Sequence, residues 1–187
     1  AYVQFSSGST GVPKGVCLTH ENLVYNAFDI ATRSKTNLHD RSLSWMPLTH
    51  DMGLICFHLS NVLAGTNQYI MPTALFIRRP VLWIQKAHEH AISQLYSPNF
   101  GYHYFLSAFA RVESPSWDLS MVKIIYNGAE PIDDTLCRSF TETLAVYGLH
   151  PNAIFPGYGL AEASVAVSLP QVSDELITYQ LDRYALN

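Results

Sequence analysis

The chain has 187 residues, 48% of them hydrophobic and only 14% charged, against about 25% charged in an average soluble protein; it is long enough to own a core, and the shortage of charge predicts faces covered by other protein. Eleven basic and fifteen acidic residues leave a formal net charge of -4 with no basic run, which argues against a nucleic-acid partner. No apolar stretch approaches the roughly 18 to 20 residues of a transmembrane segment, and no signal-peptide pattern opens the chain.

Ala1-Tyr2-Val3-Gln4-Phe5 reads as a strand already under way, so the chain is expected to be a fragment, residues 1–187 forming one partial domain. Tyr2 to Phe5 and Val16 to Leu18 are short strands around a Gly/Ser-rich loop. Thr19 then caps a helix whose Leu23, Ala27, Ile30 and Ala31 fall on one face. Leu43 to Met46 reads as a strand, Met52 to Leu63 as a helix that Gly65 ends, and Gln68 to Met71 as another strand. Pro80 fits the first turn of a helix through Val81, Ile84 and Ala87, and Ile92 to Tyr96 is a strand followed by a helix over Phe100 to Ala110. The strand Val122 to Tyr126, a helix over Asp134 to Tyr147 and the buried strand Ala153 to Phe155 complete the pattern. This alternation predicts an α/β fold, a mostly parallel sheet flanked by helices on both faces, with ligands at the carboxyl ends of the strands. Cys17, Cys56 and Cys137 are too few and too widely spaced for a disulfide framework; they read as buried thiols in a reducing compartment, with the cytoplasm as the expected location.

Ser6-Ser7-Gly8-Ser9-Thr10-Gly11-Val12-Pro13-Lys14-Gly15 follows the first strand and packs three glycines, four hydroxyls and one lysine into ten positions. Glycines let backbone N–H groups turn toward an anion, hydroxyls add donors, and a lysine brings a point charge to outer phosphates. Composition alone equally describes a flexible surface loop. The common P-loop pattern does not fit, because counting from Gly8 puts Pro13 where its second glycine belongs.

The full order of these residues resembles the phosphate loop of the adenylate-forming superfamily, which includes acyl-CoA synthetases, nonribosomal peptide adenylation domains, luciferases and fatty acyl-AMP ligases. The resemblance implies that Ser7, Gly8, Ser9, Thr10, Gly11 and Lys14 grip the β- and γ-phosphates of ATP, with Ser6 touching the metal. Asn127-Gly128-Ala129-Glu130-Pro131 is similar to the family's adenine-pocket segment, where small residues let backbone approach the purine. Tyr158-Gly159-Leu160-Ala161-Glu162 resembles the Tyr-Gly-x-Thr-Glu motif, which implies that Tyr158 stacks on adenine and Glu162 binds Mg2+. One carboxylate with ATP phosphates and water would be a normal magnesium site. Ala161 departs from the usual threonine, and the contact to the α-phosphate must then come from backbone or another residue.

The fatty acyl-AMP ligase branch tolerates that alanine. The same branch is resembled by Pro47-Leu48-Thr49-His50-Asp51-Met52-Gly53-Leu54-Ile55, by Asn-Gly-Ala-Glu-Pro at 127–131 and by Gly-Leu-Ala-Glu-Ala at 159–163. A lone histidine is ordinarily a satisfied structural residue, but the resemblance puts His50 beside the acyl carboxylate and α-phosphate, orienting the acid or excluding water rather than acting as a general base. Catalytic roles thus fall to Lys14, His50 and Glu162. His88-Glu89-His90 lacks a third ligand at a metal-binding spacing and reads as a solvated helix end. Pro98 to Gly101 with Tyr102, Tyr104, Phe105 and Phe109 line either an acyl channel or plain core.

The resemblance implies a ligase of lipid metabolism or of polyketide or lipopeptide assembly, which joins a fatty acid to AMP and passes it to an acyl carrier protein or coenzyme A thiol. The alternatives are an acyl-CoA synthetase, an amino-acid adenylation domain, and a nucleotide-binding module without chemistry. The ribose-binding aspartate, the hinge and the mobile carboxy-terminal domain with its lysine are expected beyond Asn187, so these residues alone are expected to be a poor catalyst.

Overall fold

A computed structural model describes residues 2–6, 14–113, 115–179 and 181–182. Tyr2–Ser6 (β1) and Lys14–Leu18 (β2) form an antiparallel hairpin with Ser6 opposite Lys14. It is a separate two-stranded unit, not part of the main sheet. Thr19 ends the hairpin with a reciprocal cap. Its hydroxyl accepts the Asn22 N–H at 3.1 Å, while the Asn22 side chain accepts the Thr19 N–H at 2.9 Å. Both bonds satisfy donors that a helix start leaves open, and α1 (His20–Arg33) follows. Ala27, Ile30 and Ala31 are buried as the spacing predicts, whereas Val24, Tyr25 and Phe28 leave an apolar outer face exposed.

The central sheet contains Arg41–Ser44 (β3), Asn67–Ile70 (β4), Gln94–Tyr96 (β5), Ile124–Asn127 (β6) and Ile154–Pro156 (β7), all parallel in the order β4-β3-β5-β6-β7. Every residue of β5 and β6 is buried, as a sheet covered on both faces requires. The crossover from β3 to β4 runs through a π-helix (Met52–Leu59) and α2 (Ser60–Ala64), which Gly65 ends at a φ of 68°. The sheet then grows the other way, through α3 (Thr73–Arg78) and α4 (Val81–Glu89) to β5, α5 (Asn99–Phe109) to β6 and α6 (Asp134–Ala145) to β7. Right-handed crossovers in opposite directions place the π-helix and α2 on one face and α4, α5 and α6 on the other. The reversal of strand order beside β3 opens a crevice at the carboxyl ends. After β7 come Tyr158–Gly159 (β8) and Ala166–Ser168 (β9), antiparallel and joined by a 3-10 turn at Ala161–Ala163.

Several expectations are corrected. Cys17 is exposed; only Cys56 and Cys137 are buried. The helix over Met52 to Leu63 exists, but its first part has the wider i to i+5 ladder, and the side chains of Ser60 and Asn61 donate back to the Cys56 and Phe57 carbonyls. Of the two readings offered for the aromatics after Pro98, plain core holds for Tyr102 and Phe105, packed on Phe140 with ring centroids 4.6 Å and 5.3 Å away. Phe100 and Tyr104 keep partly exposed rings.

Candidate active site

Four segments meet where the parallel strands end: the loop after β3, the end of β6 with the loop that follows, the hairpin of β8 and β9, and β1. They enclose a cleft of about 510 Å3. His50, Asn127, Gly128, Ala129, Tyr158, Gly159, Ala161 and Glu162 all line it, although they come from three distant stretches of sequence. Ser7, Gly8, Ser9, Thr10 and Gly11 lie outside the described residues. Ser6 and Lys14, which flank that segment, are the last pair of the hairpin on its side, and β1 contributes Gln4 and Phe5 to the cleft. Lys14 is exposed and is not among the lining residues.

Asn127 ends β6 and is anchored away from the cleft. Its Nδ2 donates to Asn99 Oδ1 at 2.8 Å and to Cys137 Sγ at 3.3 Å, and its carbonyl accepts the Gly157 N–H at 2.7 Å. The next residue is glycine for a reason closer than any ligand: a Cβ on Gly128 would lie 2.8 Å from the Gly157 carbonyl oxygen. Ala129 sits at a φ of 71°, an uncommon conformation for a residue with a side chain. Glu130 is turned elsewhere. Its carboxylate accepts the Phe100 N–H at 2.7 Å, capping α5, whose preceding residue Pro98 offers no side-chain cap; it does not line the cleft.

Across the opening, Tyr158 presents a largely exposed ring and Glu162 an exposed carboxylate, while Ala161 is buried. Glu162 rides on the 3-10 turn between β8 and β9.

His50 stands at the start of the helical crossover. Its Nδ1 is 2.9 Å from Asp51 Oδ1 and 3.2 Å from the Met52 nitrogen: a ring with a bare Nδ1 accepts the Met52 N–H, and the protonated ring donates Nδ1–H to the carboxylate. Asp51 Oδ1 also accepts the Met52 N–H at 2.7 Å, which holds it in place. The hydrogen bond to Asp51, reinforced by its charge and opposed by burial, raises the imidazole above its ordinary value. Cys56, on the same helix and in the same cleft, is the opposite case: burial, aided by the Asp51 charge, pushes its thiol up to about 12, which makes it a poor nucleophile.

Asp51 lies within the Pro47 to Ile55 motif, and the sequence signal for its part in the site is a carboxylate at a helix N-cap beside a histidine. Gln4, Cys56, Val165 and Leu169 also line the cleft and carry no motif that would reveal them. His88 and Glu89 form no metal site. His88 Nδ1 accepts the Asp118 N–H at 3.0 Å, Glu89 pairs with Lys86, and no group of three potential ligands occurs among the described residues.

Residues 1–181 match the profile of the AMP-binding enzyme family. The chain belongs to that family. Among curated AMP-binding relatives, it is 39% identical over its whole length to the long-chain-fatty-acid–AMP ligase FadD32 of Mycobacterium marinum, covering 30% of that protein. It is 34% identical over 90% of its length to JamA of Moorena producens, a medium-chain-fatty-acid–[acyl-carrier-protein] ligase, covering 28% of it. Among solved structures, a fatty acyl-adenylate ligase from L. pneumophila, in complex with acyl adenylate and pyrophosphate, superposes with a TM-score of 0.82 at 32% identity. That match covers 91% of this chain and 30% of its neighbour. The chain therefore spans about a third or less of the length of the AMP-binding relatives it matches.

The cleft suits a nucleotide in its chemistry. Gly128 and Gly157 bring backbone to one wall, and a broad exposed aromatic ring stands on another. For a magnesium ion the described part of this AMP-binding chain offers one carboxylate, Glu162, in the cleft besides Asp51, which His50 already engages. A hard cation at Glu162 would take its remaining oxygens from phosphate and water, the usual mode for Mg2+.

Proposed function

We propose that this chain is the nucleotide-holding part of a fatty acyl-AMP ligase, which converts a fatty acid and ATP to an acyl adenylate and pyrophosphate and hands the acyl group to a carrier-protein thiol. The convergence of Tyr158, Glu162, Gly128 and His50 on one cleft at the strand ends carries this reading, and the curated relatives include fatty acid–AMP and fatty acid–carrier-protein ligases.

In this reading adenine rests between the Gly128 and Ala129 backbone and the Tyr158 ring. The triphosphate runs toward the loop strung between Ser6 and Lys14. The carboxylate of the acid attacks the α-phosphorus as the bond to pyrophosphate breaks, and negative charge grows on phosphate oxygens. Lys14 and the loop N–H groups offset it by position and charge. Bound at Glu162, Mg2+ would supply further charge neutralisation. His50, oriented by Asp51, directs Nε2 chemistry toward the carboxylate and α-phosphate and keeps water away; in its protonated form it donates a hydrogen bond there. No protein nucleophile is needed, which agrees with the unreactive state of Cys56.

Acid-dependent exchange of pyrophosphate into ATP by the full-length protein tests this directly. Exchange stimulated by fatty acids and not by amino acids is expected, with acyl transfer to a phosphopantetheinylated carrier protein. Transfer to free coenzyme A would make it an acyl-CoA synthetase, and absence of exchange with any acid would leave a nucleotide-binding module.

A further inference from the structure

Asn26 lies on α1, far in sequence from the cleft, yet its side-chain amide meets the backbone of Ala166 twice. Nδ2 donates to the Ala166 carbonyl at 2.8 Å, and Oδ1 accepts the Ala166 N–H at 3.0 Å. This is the pair of bonds with which one strand holds another, made here by a helix side chain. Two turns further along α1, Arg33 Nε donates to the carbonyls of Leu169 and Pro170 at 3.2 Å and 2.8 Å. Helix α1 therefore grips β9 and the residues after it at two points.

What it grips is the second leg of the hairpin that carries Glu162. Ala166 and Leu169 line the cleft, and they also line a second cavity of about 450 Å3 beside Asn26 and Arg33. The segment is thus a wall between two open spaces. Within the hairpin Ser164 is buried at a φ of 70°, a conformation that persists only where the surroundings impose it. Strands of two and three residues are too short to impose it alone. Ala166 pairs with Gly159 of β8, and the Asn26 amide adds a second partner to it.

We propose that Asn26 is a positioning residue for the metal-binding carboxylate: by fixing Ala166 it sets the place of Glu162 in the cleft. The inference rests on the reading of Glu162 as the Mg2+ ligand. It also links the two halves of the site, because α1 begins two residues after the hairpin strand that carries Lys14.

The test uses the full-length protein, Mn2+ as the probe and a nonhydrolysable ATP analogue, with bound metal read from the loss of the free-ion electron paramagnetic resonance signal. Asn26→Ala is expected to weaken Mn2+ binding on the order of tenfold or more, as loss of an outer partner does, to leave metal-free binding of the analogue unchanged, and to speed hydrogen exchange at the Ala166 amide. Asn26→Asp keeps the acceptor for the Ala166 N–H but sets a carboxylate against the Ala166 carbonyl. It is expected to weaken Mn2+ with less loss of amide protection, and it serves if the alanine variant does not fold. Wild-type Mn2+ affinity in both variants, with or without a lower melting temperature, overturns the proposal. Glu162→Ala is measured alongside: unchanged Mn2+ affinity there means that the metal assignment itself fails, whereas a loss there with none at Asn26 defeats only the positioning role.

Discussion

Replacing Gly159 with alanine probes the hairpin that carries Glu162. A Cβ at this position would lie 1.6 Å from the Val165 carbonyl oxygen and 2.7 Å from its carbon, both rigid backbone. To reach the 3.0 Å that real Cβ contacts respect, β8 and β9 must part by about 1.4 Å, enough to stretch their hydrogen bonds out of range. Such overpacking costs about 1–3 kcal/mol, so the melting temperature should fall. Glu162 lies three residues on and would move with the strand, and a 1 Å misplacement costs roughly 10²-fold in rate. Calorimetry and fatty-acid-dependent pyrophosphate exchange on the full-length protein give both numbers. Gly65→Ala is the control, since its φ of 68° strains the end of α2 outside the cleft; it should lower the melting temperature and keep the exchange rate. Wild-type melting and wild-type exchange in Gly159→Ala would refute the pairing of β8 with β9.

Three further outcomes are expected. Asp51→Asn removes the charge that favours the imidazolium, so the His50 titration, followed by proton NMR, should move to lower pH than in the wild type; a midpoint that stays or rises contradicts the pairing. Because the folded value of His50 is raised, the pair stabilises the fold below the ordinary histidine range, and that contribution fades as pH rises through the folded value; with half of the imidazole in solvent the effect on melting should be small. Native alkylation at pH 8 with mass spectrometry should label Cys17 and spare Cys56 and Cys137, whose thiols are pushed up to about 12 and about 11, chiefly by burial; labelling of all three at one rate would contradict the burial. Lys14→Ala and Glu162→Ala should each reduce exchange by roughly 10²-fold or more while His88→Ala leaves it unchanged, and equal effects would discredit the assignment of the site.

Elements with one strong local signal were legible from the residues. Thr19 as a cap, the Ala27, Ile30 and Ala31 face, Gly65 as a stop and the apolar strands of the parallel sheet lie within a residue or two of where the pattern puts them. The π-helix was not legible, because hydrophobic spacing in a segment buried on most sides does not report whether the ladder closes at i+4 or i+5. Strands β8 and β9 are too short to show a period, and α3 has only six residues. At the site, motif order pointed to His50, Gly128, Tyr158 and Glu162, which line one cleft. It could not reveal that Glu130 turns to cap α5, since an exposed carboxylate beside a glycine turn reads the same in either role. Nor could it reveal Asn26, whose partner is main chain 140 positions away.

The most direct measurement is a crystal structure of the full-length protein with a nonhydrolysable ATP analogue and magnesium. Adenine is expected against Gly128 and Tyr158, with the metal between Glu162 and the phosphates and Lys14 drawn toward them. A nucleotide bound elsewhere, or bound here with Glu162 and Lys14 both remote from its phosphates, would contradict the proposed site.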